Sequence, residues 1–424
     1  MYYNKKLINI LLKYCAFLLC YNEFISLYLS KWILRGTYVA IILILIIQFL
    51  FKSKGKIYFN KTDSLIAIYA FYAAIRFIVQ IIAGNTTYST FLTFFQLFVP
   101  LLIYFISIYI AEDNAIKIEN AFVIFASISA LVGAIDRFYK ILPSRGSFAG
   151  DLYGGVGGGV YVARGYSLAG SALITGFMCS LGLCFIISNY KVKDYHSKIY
   201  LPSFVALLIG LFSALSRGAF FMFVIFLICL LLTNARSHEK RLMSRNQFLI
   251  GLIVFFSLVI IVIFNYDSII NSNFFGRIVR AGLNLNEHSN SLRVGFQKNA
   301  FEKLRNNLLF GKGFGFVGVQ AINLNASESI NTESYLLSLI ADGGLVMMIL
   351  FVLIVINALV IAFRQPSRAV SGYISIVIGI FIWSILYIVL DSDLNGVFFW
   401  YCFARIFQRD GEFEDEVFSE KRLE

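Results

Sequence analysis

Long apolar runs alternate with short polar stretches along this chain, and that pattern predicts an all-α, polytopic integral membrane protein. Candidate spans lie near residues 7–28, 32–51, 64–83, 91–110, 121–139, 167–188, 200–215, 218–233, 248–265, 338–363, 370–390 and 396–407, about twelve helices. Most approach the about 20 residues that a bilayer crossing needs. The first run contains Lys13 and Glu23 and has no small-residue cleavage site, so it reads as a retained span and not as a signal peptide. The chain divides into nine helices with a Gly-rich loop at 140–166 (residues 1–265), a large loop (266–333), three more helices (334–407) and a polar, acidic-rich tail (408–424). No internal repeat is evident.

The basic residues between spans set an expected orientation. With the amino terminus inside, the even-numbered connections carry Lys52, Lys54, Lys56 and Lys61, then Lys117, then Lys191, Lys193 and Lys198, then Arg236, Lys240, Arg241 and Arg245, then Arg364 and Arg368. Short connections on the other side, such as 84–89 and 391–395, are nearly free of Lys and Arg. The positive-inside rule therefore places both termini in the cytoplasm. This assignment needs residues 200–233 to form two helices that meet at Ser216-Arg217-Gly218, because one long helix would put the basic clusters on opposite sides. Arms of about 15 residues span ~22 Å, short of a ~30 Å hydrocarbon core. Arg217 is then expected in a recessed, outward-facing cavity, since a lone arginine in lipid costs ~2.5–3.5 kcal/mol or more.

Composition agrees. Hydrophobic residues make up 59% and charged residues 14%, where soluble domains carry roughly 25% charge. The net charge of +12 falls in short clusters between apolar runs, a topology signal that argues against a nucleic-acid surface. Cys15, Cys20, Cys179, Cys184, Cys229 and Cys402 all lie within apolar runs and read as small core residues.

The chemistry concentrates on the outer side. The loop 266–333 far exceeds the ~12–15 residues beyond which a connection usually has a task. Within it Ser291–Asn307 reads as an amphipathic helix with Val294, Phe301, Leu304 and Leu308 on one face, broken by Gly311-Lys312-Gly313-Phe314-Gly315. Arg145, Arg164, Arg217, Arg277, Arg280 and Arg293 all fall on this side. For the loop arginines a solvated surface is the plain alternative; Arg217 sits at a membrane-embedded turn, where ionisable groups are functional by default. Guanidinium forks grip phosphate oxygens bidentately, so a cationic cavity here suits a lipid pyrophosphate. Glu333, just before the tenth span, is either a general base or part of a helix cap with Asn331 or Thr332.

Other patterns carry less. The glycine runs 154–159 and 311–315 are not GxxxxGK[ST] loops, and Asp391-Ser392-Asp393 reads as a polar turn. His196 and His238 are cytoplasmic; His288 is the one histidine available to an outer site. No metal-ligand cluster or cofactor motif is present.

Taken in order, Leu215-Ser216-Arg217-Gly218-Ala219, Ser291-Leu292-Arg293, Leu308 to Gly315, Thr332-Glu333-Ser334-Tyr335-Leu336 and Asp342-Gly343-Gly344-Leu345 resemble the O-antigen polymerase (Wzy) and ligase superfamily of bacterial surface-polysaccharide assembly. The resemblance covers roughly 164–345. It implies a metal-independent, GT-C-like glycosyltransferase in the cytoplasmic (inner) membrane, acting on glycans carried by undecaprenyl pyrophosphate. It implies no cofactor and no nucleic-acid partner; its partners are lipid-linked oligosaccharides as donor and acceptor, membrane lipid, and a chain-length regulator protein. Arg217 and Arg293 match the family's pyrophosphate-contacting arginines, with Arg145, Arg164, Arg277 and Arg280 as further basic contacts and Tyr335 as a substrate contact. Thr332-Glu333 stands where the ligase branch has His-Asn, which favours a polymerase with Glu333 as base. The alternatives are a ligase and a flippase or other transporter; against transport, no repeat is seen and the charges gather at the outer side and not at the midplane.

Overall fold

The computed structural model describes residues 2–28, 36, 40, 61–108, 110–139, 167–189, 197–214, 216–236, 288–317, 330, 332–364, 368–390 and 393–407. The described chain is helical: α1 (Tyr2–Tyr28), α2 (Lys61–Ile82), α3 (Tyr88–Ser107), α4 (Glu112–Tyr139), α5 (Ala172–Asn189), α6 (Ser197–Ala214), α7 (Arg217–Arg236), α8 (His288–Leu304), α9 (Tyr335–Arg364), α10 (Arg368–Leu386) and α11 (Asp393–Ile406). Six helices are long and apolar enough to cross a bilayer, and α6, α7 and α10 are apolar with shorter qualifying stretches. The only β pairing among the described residues is one isolated bridge between Val317 and Ile330. These features define a multi-pass, all-helical membrane protein. The expected spans 32–51 and 248–265 lie outside the described residues, apart from two helical positions at 36 and 40.

Local chemistry explains where helices begin and end. Thr87 caps α3 in a reciprocal box with Thr90, which satisfies backbone donors that a helix start leaves unpaired. The long α9 changes direction at Gly344, where φ is +78° and ψ −175°, a backbone state that costs glycine little. Residues 200–233 do form two helices, α6 and α7, as the charge pattern requires. The arms are longer than expected, 18 and 20 residues. Helix shortness therefore does not recess Arg217; its side chain is half-buried by its neighbours.

Packing follows the distribution of small and apolar residues. α5 is buried nearly all round, which marks it as the central helix. It meets α6 and α7 through small residues: a Cβ on Gly176 would lie 2.7 Å from both Ser216 and Ala219, and Ser180 Oγ donates to the Ala219 carbonyl at 2.8 Å. Small residues let helix backbones approach where no hydrophobic effect drives association. α7 lies along α10, α3 along α11, and α4 along α6. All six cysteines are free, and all but the half-buried Cys229 are buried.

The amphipathic helix differs in register from the sequence reading. Val294 and Phe301 are exposed, while Ala300 and Leu304 are buried against Ile340 and Ala341 of α9. The docked stripe is Arg293, Gln297, Ala300 and Leu304, at spacings of four, three and four. Arg293 occupies the protein-facing side because its partners lie there.

Candidate active site at one end of the bundle

Two ends of the bundle can be told apart by their contacts. One gathers the end of α2, the start of α3, the α6–α7 break, the start of α9 and the end of α10. The other carries the exposed Lys61, Lys117 and Arg364.

At the first end, Arg293 of α8 pairs with Glu333 (Nε to Oε2, 3.6 Å), and both side chains are about one-third exposed, at 29% and 31%. The same guanidinium donates to Tyr387 Oη at 3.2 Å and lies 4.5 Å from the centre of the Tyr387 ring. A half-exposed ion pair contributes only ~0–1 kcal/mol to stability, so this one is better understood as arrangement than as glue. It leaves an accessible arginine beside an accessible carboxylate.

Glu333 is held for this role by its backbone. Its φ is +49°, a left-handed conformation that costs a non-glycine residue about 1–2 kcal/mol. On its far side Ser334 Oγ donates to the Ile385 carbonyl at 2.7 Å, which ties the start of α9 to the end of α10, two residues from Tyr387. Helix α9 begins at Tyr335 with no acidic residue in its first turn, and the Ser338 N–H bonds to the Ser334 carbonyl at 3.0 Å. Glu333 is therefore outside the helix and does not serve it as a cap. Thr332 pairs with the Ser338 hydroxyl at 2.9 Å, and Asn331 lies outside the described residues.

Arg217 reaches the same corner through its neighbour. Gly218 is packed so tightly against Trp383 that an added Cβ would sit 1.8 Å from Nε1. Trp383 in turn meets Tyr387 edge-on at 6.2 Å. The first residues of α7 and the Arg293 cage thus share one aromatic pair on α10. Trp383 is 2% exposed, and its buried indole N–H has no hydrogen-bond partner among the described residues.

The remaining expectations resolve differently. Tyr335 is 7% exposed and packs edge-on to Phe351 at 5.5 Å; as placed it is a core residue. Arg145, Arg164, Arg277, Arg280, Asp391 and the side chain of His288 lie outside the described residues. Sequence reasoning missed Tyr387 and Trp383, which stand among ordinary apolar residues of a span. It also missed Arg76 of α2, although an arginine within an apolar run was a usable signal.

A polytopic helical membrane protein with arginines and a carboxylate gathered at one end is the class that fold and site define. Residues 202–352 match the Wzy_C family, described as O-antigen ligase, a match that supports the O-antigen polymerase and ligase superfamily. Arg217, Arg293 and Glu333 all fall inside the matched segment, whereas Trp383 and Tyr387 lie beyond it. No curated protein matches the chain.

Proposed function

We propose that this protein is a surface-polysaccharide polymerase, joining oligosaccharide repeats carried on undecaprenyl pyrophosphate at the outer face of a bacterial cytoplasmic membrane. The observation that carries this reading is the Arg293–Glu333–Tyr387 cluster, set at the same end of the bundle as Arg217 and opposite the end that carries Lys61, Lys117 and Arg364. In this reading both termini are cytoplasmic and the cluster faces outward. The GT-C-like arrangement and the chain-length regulator as partner belong to the same proposal.

The chemistry balances without nucleotide or metal. An acceptor sugar hydroxyl attacks the anomeric carbon of the donor glycan, and its proton passes to Glu333. The bond between that carbon and the pyrophosphate oxygen breaks, and undecaprenyl pyrophosphate departs with the electron pair. Arg293 and Arg217 stabilise the charge that develops on the leaving group, the type of preorganised electrostatic contribution that mutagenesis values at about 10²–10³-fold per donor. When the pyrophosphate engages Arg293, Glu333 is freed from its ion pair at the moment a base is needed.

Purified protein in lipid, given undecaprenyl-pyrophosphate-linked repeats and no nucleotide, should lengthen them. Failure to do so, with transfer instead to a distinct acceptor such as lipid A core, would favour the second reading, a ligase. That alternative is supported by the description of the matched family; Glu333 in place of a histidine supports the polymerase. In cells the two part cleanly: losing a polymerase leaves acceptor bearing a single repeat, and losing a ligase leaves acceptor unmodified.

A further inference from the structure

The turn that follows α8 is bound to the membrane helices at a depth that can be measured. Tyr72, Arg76 and Gln80, at four-residue spacing on one face of α2, form a ladder against its backbone and that of α9. Tyr72 Oη donates to the Gly343 carbonyl at 2.6 Å, and Arg76 Nη2 to the Gly311 carbonyl at 3.4 Å. Gln80 receives the Phe314 N–H at 2.8 Å and donates to the Phe314 carbonyl at 2.9 Å. Next to the ladder, the Leu345 N–H bonds to the Leu308 carbonyl at 2.8 Å. The glycines are needed for this seat: a Cβ on Gly344 would meet the Leu309 carbonyl oxygen at 2.0 Å.

Two rulers give the level of this crossing. On α2, Arg76 lies about 9 Å below Ile82 at the helical rise, and the opposite face of α2 exposes Phe71, Ile78 and Ile82. At the far end, Asn357 Nδ2 donates to Thr62 Oγ1 at 2.7 Å, which registers α9 against α2. From that bond, Gly344 is ~20 Å along α9 and Arg76 ~21 Å along α2, so both helices report one level. If the inner edge of the hydrocarbon is instead drawn at Arg364, Leu345–Arg364 spans ~30 Å, a full hydrocarbon thickness. Gly344 then marks the opposite edge. On either reckoning the crossing lies at or beneath the hydrocarbon boundary. Leu309 and Phe310, at that crossing, are 61% and 58% exposed.

We propose that the turn 308–315 is re-entrant, with Leu309 and Phe310 inserted among the acyl chains of the leaflet on the site's side. Helix α8 is thereby moored over the lipid headgroups, with its exposed Lys298, and Arg305 just beyond its end, among the phosphates. Arg293 is then held where a lipid-borne pyrophosphate travels; that last consequence rests on the proposed function, whereas the insertion itself does not. The helices α2 and α9, against which the turn is seated, themselves expose apolar side chains such as Phe71, Ile78, Ile349 and Leu353, and a large apolar patch exposed to water would be anomalous.

The test places a nitroxide at Cys introduced at position 309 or 310, with Asn306→Cys as reference, in protein whose native cysteines are replaced. The protein is reconstituted in vesicles of phosphatidylethanolamine and phosphatidylglycerol. At 309 and 310 we expect frequent collisions with oxygen and loss of collisions with an aqueous nickel chelate, and the reverse at 306. Nickel access at 310 equal to that at 306 overturns the insertion. Should the cysteine-free chain not fold, benzophenone-phenylalanine at 310 in the otherwise native chain supplies the second measurement. A phospholipid adduct supports insertion; an adduct to protein, or none, overturns it. If Arg293→Ala protein still elongates polymer, the functional reading fails while the depth result stands. A nickel-accessible label in active polymerase sinks the insertion alone.

Discussion

The two ends of this bundle each hold a carboxylate and an arginine, and they hold them in opposite ways. At the far end Glu119 and Arg405 are each 1% exposed. Glu119 accepts from Tyr373 Oη at 2.6 Å, Tyr401 Oη at 2.9 Å and the Asn189 amide. Arg405 donates to the Ile110 carbonyl at 2.6 Å and lies over the Tyr373 ring at 5.5 Å. That cluster ties α4, α5, α10 and α11 together, with no access for a lipid-linked sugar. Arg293 and Glu333 are one-third exposed, and the backbone of Glu333 is strained. A buried charge cluster is committed to its own partners; a half-open pair can exchange them. Burial, not residue type, separates the structural set from the candidate catalytic one.

This contrast can be broken by substitution. The largest effect belongs to the closed end. Glu119→Ala leaves Tyr373, Tyr401 and Arg405 without their acceptor or counter-charge, and removing one partner of a buried charge set costs about 3–5 kcal/mol. A sharp fall in membrane-extracted protein and in its Tm is expected, and polymer should vanish with the protein. At the open end, Arg293→Ala, Glu333→Ala and Glu333→Gln should lower elongation by about 10²–10³-fold while protein levels hold. Normal polymer length in the two Glu333 variants would remove that residue from the mechanism.

Smaller changes sharpen the comparison. Gly218→Ala drives a methyl into the Trp383 indole; overpacking of this kind costs about 1–3 kcal/mol, and it should displace Arg217 and the aromatic pair together, seen as a loss of activity alongside a lower Tm. Tyr387→Phe keeps the ring beneath Arg293 and deletes one hydrogen bond, worth about 0.5–1.5 kcal/mol. Elongation should drop by roughly threefold to tenfold, in KM more than in kcat. An unchanged KM would show that the hydroxyl does not position Arg293.

Much of the scaffold was legible from hydrophobic periodicity, because a bilayer imposes its thickness on each span whatever the span's neighbours. Charge between spans indicated the break at Arg217, and the structure contains it. Half of the expected α8 stripe was misread: Leu304 and Leu308 pack as the pattern requires, while Val294 and Phe301 are exposed. Periodicity scores Val294 and Phe301 as core-facing, whereas the docked face includes Arg293, whose partners come from elsewhere in the chain. Tyr387, Trp383 and Gln80 carried no local mark. The charges of Arg76 and Arg405 inside apolar runs were a signal that pointed to them; Glu119, in the polar stretch before a span, carried none.

From the sequence alone came the all-helical membrane architecture, the two-helix turn at Ser216-Arg217-Gly218 and the residue types suited to a phosphorylated lipid. These are local or additive properties: apolar length, net charge between spans, and side-chain chemistry. The tertiary structure decided which arginine meets which carboxylate, which carboxylate is sealed away, and how deep the turn after α8 sits. Those depend on contacts between residues far apart in the chain, Arg293 with Tyr387, Glu119 with Tyr401 and Gln80 with Phe314, and pairings of that range are set by the packing of whole helices.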